Sequence, residues 1–315
     1  MKFLNIVSSG LLATAMMMTA PQAFAGDEDV PSDESNAEGE APLINDTVTV
    51  TGYTFKDSFD FATELSAVPR KSKLLARWNL GICPAVSGIP ADKAQMIADR
   101  IAMRAMAVGL KPGEPGCKPN IAIIISPDGN AATQAIYEND PKVFSLSGDP
   151  TVTTMGKFAF EDFLKTPRPV RWWHVSETKS EQGHEMSSGG QYFSRGGAAN
   201  MPTVSTTSSS RLKGSYRQDL NHAVIVVDVA LAQGVSLEAL ADYLAFVSLV
   251  QIDPDAETAG FDTVLNLFDE TGVHDTSITG MSEWDVAYLK ALYSAKRNAK
   301  TARQQEREIA ETMGK

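Results

Sequence analysis

Four histidines, His174, His184, His222 and His274, and two cysteines, Cys83 and Cys117, are the chain's first candidates for metal or nucleophile chemistry. A catalytic zinc needs three protein ligands and an open position. The usual way to place two of them is His-Glu-x-x-His, which sets both imidazoles on one helical face with the glutamate as base. That motif is absent. Gly183-His184-Glu185-Met186 holds its first half only, inside a Ser/Gly-rich stretch that does not pre-arrange ligands. His174 and His222 flank predicted strands and could meet in space. An atypical metal site would draw on His174, His184, Glu185 and His222. The plainer reading makes each a solvated or singly hydrogen-bonded side chain.

Nucleophile signals are equally sparse. There is no Gly-x-Ser-x-Gly elbow, no phosphate loop and no Gly-x-Gly-x-x-Gly after a strand. Ser205-Thr206-Thr207-Ser208-Ser209-Ser210 is low in complexity. The isolated pair Cys83 and Cys117 reads as a disulfide in an oxidising compartment, and a disulfide offers no thiolate. A metal or redox pair is the alternative, but the spacing is not Cys-x-x-Cys. No catalytic residue and no cofactor is assigned on this basis. Trp172 and Trp173 are adjacent, so a strand points them to opposite faces. One belongs in the core. The other packs too, or lines a groove that a carbohydrate or peptide could use.

The elements that must position these residues alternate between buried strands and amphipathic helices. Strands are predicted at 47–52, 74–80, 120–126, 169–175 and 223–228, the third and fifth being nearly unbroken apolar runs. Helices are predicted at 57–66, 91–108, 131–139, 151–164, 236–250 and 263–268, with a last one from Ser282 to beyond Tyr293. Ser236 supplies an N-cap. The Ser/Gly/Thr-rich segment 177–210 reads as a long loop or hairpin excursion. The alternation implies an α+β class, a mixed sheet with helices packed on it. Two lobes, 47–168 with the disulfide and 169–315, are a natural division.

Composition narrows the classes. The chain has 315 residues and a net charge of -11. Lys2, the apolar stretch Phe3 to Ala20, Pro21 and Ala23-Phe24-Ala25 form a signal peptide over 1–25, with cleavage predicted after Ala25. Residues 26–46 carry eight acids and no Lys or Arg, and read as an acidic disordered leader. Basic residues concentrate only in the tail from Lys296 to Lys315, where three Glu interrupt them, as in a solvated helix end. Nucleic-acid binding is thereby disfavoured. No stretch after residue 25 has the length and apolarity of a membrane span.

The second half resembles the zincin-like exported proteins of Gram-negative bacteria. The likeness covers 169–295 and rests on element order and on the closing Asp285-Val286-Ala287-Tyr288-Leu289-Lys290-Ala291-Leu292-Tyr293, which has the form D-x-A-x-L-x-A-L-Y. The segment around Cys83-Pro84 and Gly116-Cys117-Lys118-Pro119-Asn120 resembles other exported proteins. The resemblance implies a degenerate zincin-like fold, because Ala241-Asp242-Tyr243-Leu244-Ala245 stands where His-Glu-x-x-His belongs. Ala241 and Ala245 offer no lone pair, and Asp242 is shorter than the general-base glutamate. Without the family, Leu237, Leu240, Leu244 and Val247 simply form a stripe packed on the sheet, with Glu238 and Asp242 toward water.

The expected protein is therefore exported, periplasmic or secreted, and acts by binding or as a structural component of the cell envelope. The alternative is a periplasmic metallohydrolase with an atypical zinc site. A partner in the envelope, a protein or a peptide, would meet the 177–210 excursion or the C-terminal helix.

Overall fold

The computed structural model describes residues 54–314 apart from 70–71, 147–148, 150, 195–196, 204–212 and 270–271. The expected signal peptide, acidic leader and 47–52 strand lie outside the described residues.

Thr54 accepts the Asp57 N–H at 3.2 Å and starts helix α1 (Phe55–Leu65). Strand β1 (Pro84–Ser87), helix α2 (Ala91–Ala107) and strand β2 (Ile121–Ser126) follow as a parallel β-α-β unit. Ile97, Ile101 and Ala105 form the buried stripe of α2 at four-residue spacing. The chain leaves β1 through Gly88 at φ +91°, where an added Cβ would lie 1.9 Å from the Ile125 carbonyl oxygen, so only glycine fits. Helix α3 (Gly129–Asn139), a 3-10 turn at Pro141–Phe144, the short strand β3 (Val152–Thr153) and helix α4 (Lys157–Lys165) lead to the long strand β4 (Val170–Ser180).

A hairpin of β5 (Ser187–Ser194) and β6 (Gly197–Thr203) forms a separate two-stranded sheet before β7 (Tyr216–Asp228) joins the main sheet. Helix α5 (Leu237–Leu249), a 3-10 turn at Val264–Leu267, α6 (Glu283–Ser294) and α7 (Ala302–Met313) complete the chain.

The sheet order is β1-β2-β7-β4-β3. The first three strands are parallel, β4 runs antiparallel to β7, and β3 antiparallel to β4. With its helices this mixed sheet makes an α+β fold, as the alternation implied. Side-chain alternation divides it into two cores. Ile121, Ile123, Ala223, Ile225 and Val227 face α2 and α5, with α1, α6 and α7 beyond. Val224, Val226, Trp173 and Val175 face Phe144, Phe160 and Phe163 on the other side. Helix α5 is apolar all round and buried from Ala239 to Leu249, as a central helix must be. Because β1, β2 and β3 precede residue 169 while β4 and β7 follow it, the two expected lobes share one sheet.

Three local differences from the sequence reading have physical causes. Residues 74–80 are irregular rather than a strand, with one bridge from Arg77 to Asp219. Their backbone groups are satisfied by side chains instead: Leu75 N–H donates to Gln305 Oε1 (2.9 Å) and Ala76 N–H to Gln251 Oε1 (3.2 Å). The predicted 151–164 helix begins only after Gly156, whose φ of +92° is not helical. The C-terminal tail is not a solvated continuation of α6. Its helix α7 buries Ile309, Ala310 and Met313 against α1 and α6. Arg77 donates to the carbonyl of Leu292 in α6 and to that of the following Ala295, the latter at 2.7 Å, and so caps the end of that helix. Burial brings its guanidinium down to about 10, with Arg297 adding to the effect.

Candidate functional site

His174 and His222, which an atypical metal site would bring together, sit on opposite faces of the sheet. His174 points toward α5, its Nε2 2.9 Å from the Val247 carbonyl oxygen. His222 points the other way, its Nε2 2.6 Å from the Val143 carbonyl oxygen. His184 and Glu185 occupy the turn after β4, where the His184 N–H donates to Ser180 Oγ (3.0 Å) and Glu185 lies 3.7 Å from Lys179 Nζ. Among the described residues no group of three or more His, Cys, Asp or Glu is placed to hold a metal ion. Cys83 and Cys117 are disulfide-bonded. Ala241 and Ala245 are fully buried in the core.

Asp242, expected toward water, is buried, with 2 % of its surface exposed. It accepts from Arg104 Nε (2.8 Å) and Nη2 (2.7 Å), from Arg100 Nη1 (3.2 Å) and from the Met281 N–H (3.2 Å). A polar residue on the inner face of α5 finds its partners on α2, which hydrophobic spacing along α5 alone does not reveal. Glu238 is exposed, as expected.

His174 is buried as the neutral imidazole, with Nε2–H donating to Val247. Burial lowers its pKa from 6.5 to about 4. Asp285, in the capping box of α6, is shifted the other way. Burial raises it from 3.8 to about 6, against the bonds it accepts from Thr263 Oγ1 (2.6 Å), Val264 N–H (2.7 Å) and Ser282 N–H (3.0 Å).

The two groups give opposite pH dependences. The stability from His174 is complete above pH 6.5 and lost as pH falls through about 4. That from Asp285 is complete below pH 3.8 and lost as pH rises through about 6. Each shift corresponds to roughly 3 kcal/mol, so between these limits they largely cancel. Asp285→Asn removes one of the two. Its unfolding free energy should then drop by about 3 kcal/mol relative to the parent as pH falls from 6.5 to about 4. Parallel stability-against-pH curves for variant and parent would refute this.

Open α/β sheets leave clefts where the carboxyl ends of their parallel strands meet the connecting loops. Here β4 starts at that edge, and α5 and the segment after it close the other side. Between them is a cleft of about 420 Å³. Trp172 and Tyr243 line it edge-to-face, their ring centroids 6.5 Å apart, and Tyr243 meets Phe268 at 5.0 Å and 79°. Trp173 is the core member of the tryptophan pair, donating Nε1–H to the Phe144 carbonyl (3.0 Å). Trp172 donates to the Ile252 carbonyl (3.0 Å) and keeps one side on the cleft.

Arg168 spans the rim. Its Nη2 lies 2.5 Å from Asp255 and 3.3 Å from Asp162, and Nη1 donates to the Pro254 carbonyl. At the mouth, His274 Nδ1 and Asp269 Oδ2 are 3.3 Å apart. Tyr243 is 5 % exposed, and burial raises its phenol well above the usual range. Its hydroxyl makes no hydrogen bond among the described residues.

No known family, curated protein or solved structure matches this chain. The cleft is therefore read from its own residues. An aromatic floor, one unsatisfied hydroxyl and a charged rim can hold and orient a small ligand. Of these residues, alternation along β4 pointed to one tryptophan on a groove. Tyr243 was hidden inside an apolar helix, where the only signal was a phenol at a position that leucine would fill.

Proposed function

We propose that this chain is an exported, non-catalytic binding protein of the bacterial cell envelope, periplasmic or secreted, with the Trp172–Tyr243–Phe268 cleft as its ligand seat. The observation that carries this reading is the Tyr243 hydroxyl. The side chain is recessed, with 5 % of the residue exposed, yet its oxygen is neither sealed from solvent nor bonded to the described residues, so it is open to a ligand group in the cleft. Ligand sites are commonly such apolar concavities with a few placed polar groups. Export is supported by the charged, apolar and small-residue succession of 1–25. The Cys83–Cys117 disulfide agrees with an oxidising compartment. No helix among the described residues is long and apolar enough to cross a membrane. On the zincin-like reading of 169–295, α5 stands where the metal helix would, and its Ala241, Asp242 and Ala245 serve packing and an ion pair instead.

Thermal unfolding of residues 26–315 in pools of small metabolites tests the cleft. A ligand at a hundred times its Kd adds about 2.7 kcal/mol, which raises Tm by roughly 5 °C in a protein of this size. Ala259 is exposed and lines the cleft, so Ala259→Trp should fill it and abolish the rise without lowering the unliganded Tm. A rise that persists in Ala259→Trp, or near-stoichiometric zinc in the purified protein, overturns the reading.

A further inference from the structure

We infer that the cleft takes an organic ammonium group carried on a short aromatic or apolar body, an inference that rests on the cleft being the ligand seat. Its charge is lopsided. Asp253, Asp255, Glu257 and Asp269 line it against one permanent cation, Arg168. That cation is already engaged by Asp255, by Asp162 and by the Pro254 carbonyl. Asp253 and Glu257 form no ion pair among the described residues, so the cleft carries an uncompensated negative field.

Trp172, Tyr243 and Phe268 line the same cleft as the acids. Cations are drawn to the faces of Trp and Tyr rings, more strongly when partly desolvated. The same cleft is lined by Tyr243, whose hydroxyl bonds to none of the described residues and whose oxygen can accept an N–H of an ammonium. A second, independent feature thus joins the acids: a phenol more than nine-tenths buried, with no partner, on the cleft wall. An anion would meet the acids at a cost. A neutral sugar would use the rings but leave Asp253 and Glu257 unanswered. An ammonium on an apolar body uses all three.

The test separates charge from shape. Calorimetric titration of residues 26–315 at pH 7 and low ionic strength compares benzylamine, an ammonium at that pH, with benzyl alcohol of nearly the same shape and with the neutral disaccharide cellobiose. Benzylamine should bind at least about tenfold more tightly than benzyl alcohol, and added salt should erode the difference. Tyr243→Phe, which keeps the ring and the packing, should weaken benzylamine about fivefold. The surface double variant Asp253→Asn/Glu257→Gln should bring the two probes to within about twofold of each other. Equal affinity for amine and alcohol, or no measurable benzylamine binding, overturns the inference. Cellobiose binding that Ala259→Trp removes, without amine preference, overturns it while leaving the cleft as the ligand seat. Benzylamine binding untouched by Ala259→Trp overturns both.

Discussion

Asp242→Ala will lower the unfolding free energy by about 4 kcal/mol, one of the two largest single effects expected in this chain. Among the described residues the carboxylate is the only acid bonded to both Arg100 and Arg104, which stand one turn apart on α2. Those arginine side chains are 26 % and 22 % exposed, so neither can fully recover its hydration when the acid is gone. Without the acid they also repel each other, and the Met281 N–H loses its acceptor. Packing makes the site intolerant of change. Gly280 approaches so closely that an added Cβ would lie 2.5 Å from Asp242 Oδ2. Denaturant unfolding of Asp242→Ala, Asp242→Asn and the triple replacement Arg100→Leu/Arg104→Met/Asp242→Leu checks the cause. Loss of one partner from a buried pair is costly, whereas replacing the whole set with apolar residues is not. The triple variant should therefore recover at least about half of the loss. Equal loss in the alanine and triple variants would mean that the ion pair is not what stabilises the α2–α5 contact.

That ion pair also marks the limit of what the residues disclose in order. The runs at 121–125 and 223–227 announce themselves as central strands because branched apolar side chains fill both faces. The structure pairs them directly, Ile121 with Ala223 and Ile125 with Val227. Strand β1 gives no such signal. It has four residues, starts at Pro84, and owes its place to the partner beside it. Residues 74–80 give the opposite error, a strand-like composition whose backbone is held by Gln251 and Gln305, far along the chain. Local pattern cannot report a partner more than 170 positions away. The same holds for Asp242, which reads as a solvent-facing position until α2 is laid against it. The cleft was half legible. Alternation along β4 separates Trp172 from Trp173, but Arg168, Tyr243 and His274 come together only when three non-adjacent segments meet.

Removing the disulfide, as Cys83→Ser/Cys117→Ser, should cost about 4 kcal/mol. The two cysteines are 34 positions apart, and a loop of that length removes much of the denatured chain's freedom when closed. The bridge also sits where the native state needs it. Cys83 directly precedes β1 and Cys117 lies in the turn before β2, so it pins the entry ends of two parallel strands. Among the described residues, strand β1 pairs with β2 alone. Around the bridge, Cys83 N–H donates to Asn120 Oδ1 (2.7 Å) and Asn120 N–H returns to the Cys83 carbonyl (3.1 Å), so the cross-link and the hydrogen bonds hold one register. The oxidised protein should therefore show no free thiol under native conditions. The double serine variant should unfold at lower denaturant with similar steepness. In it, hydrogen exchange should accelerate first in β1 and the start of α2, because the edge strand loses its clamp before the central strands do. If parent and variant unfold at the same denaturant concentration, the bridge contributes nothing to folding, and the register of β1 rests on its hydrogen bonds alone.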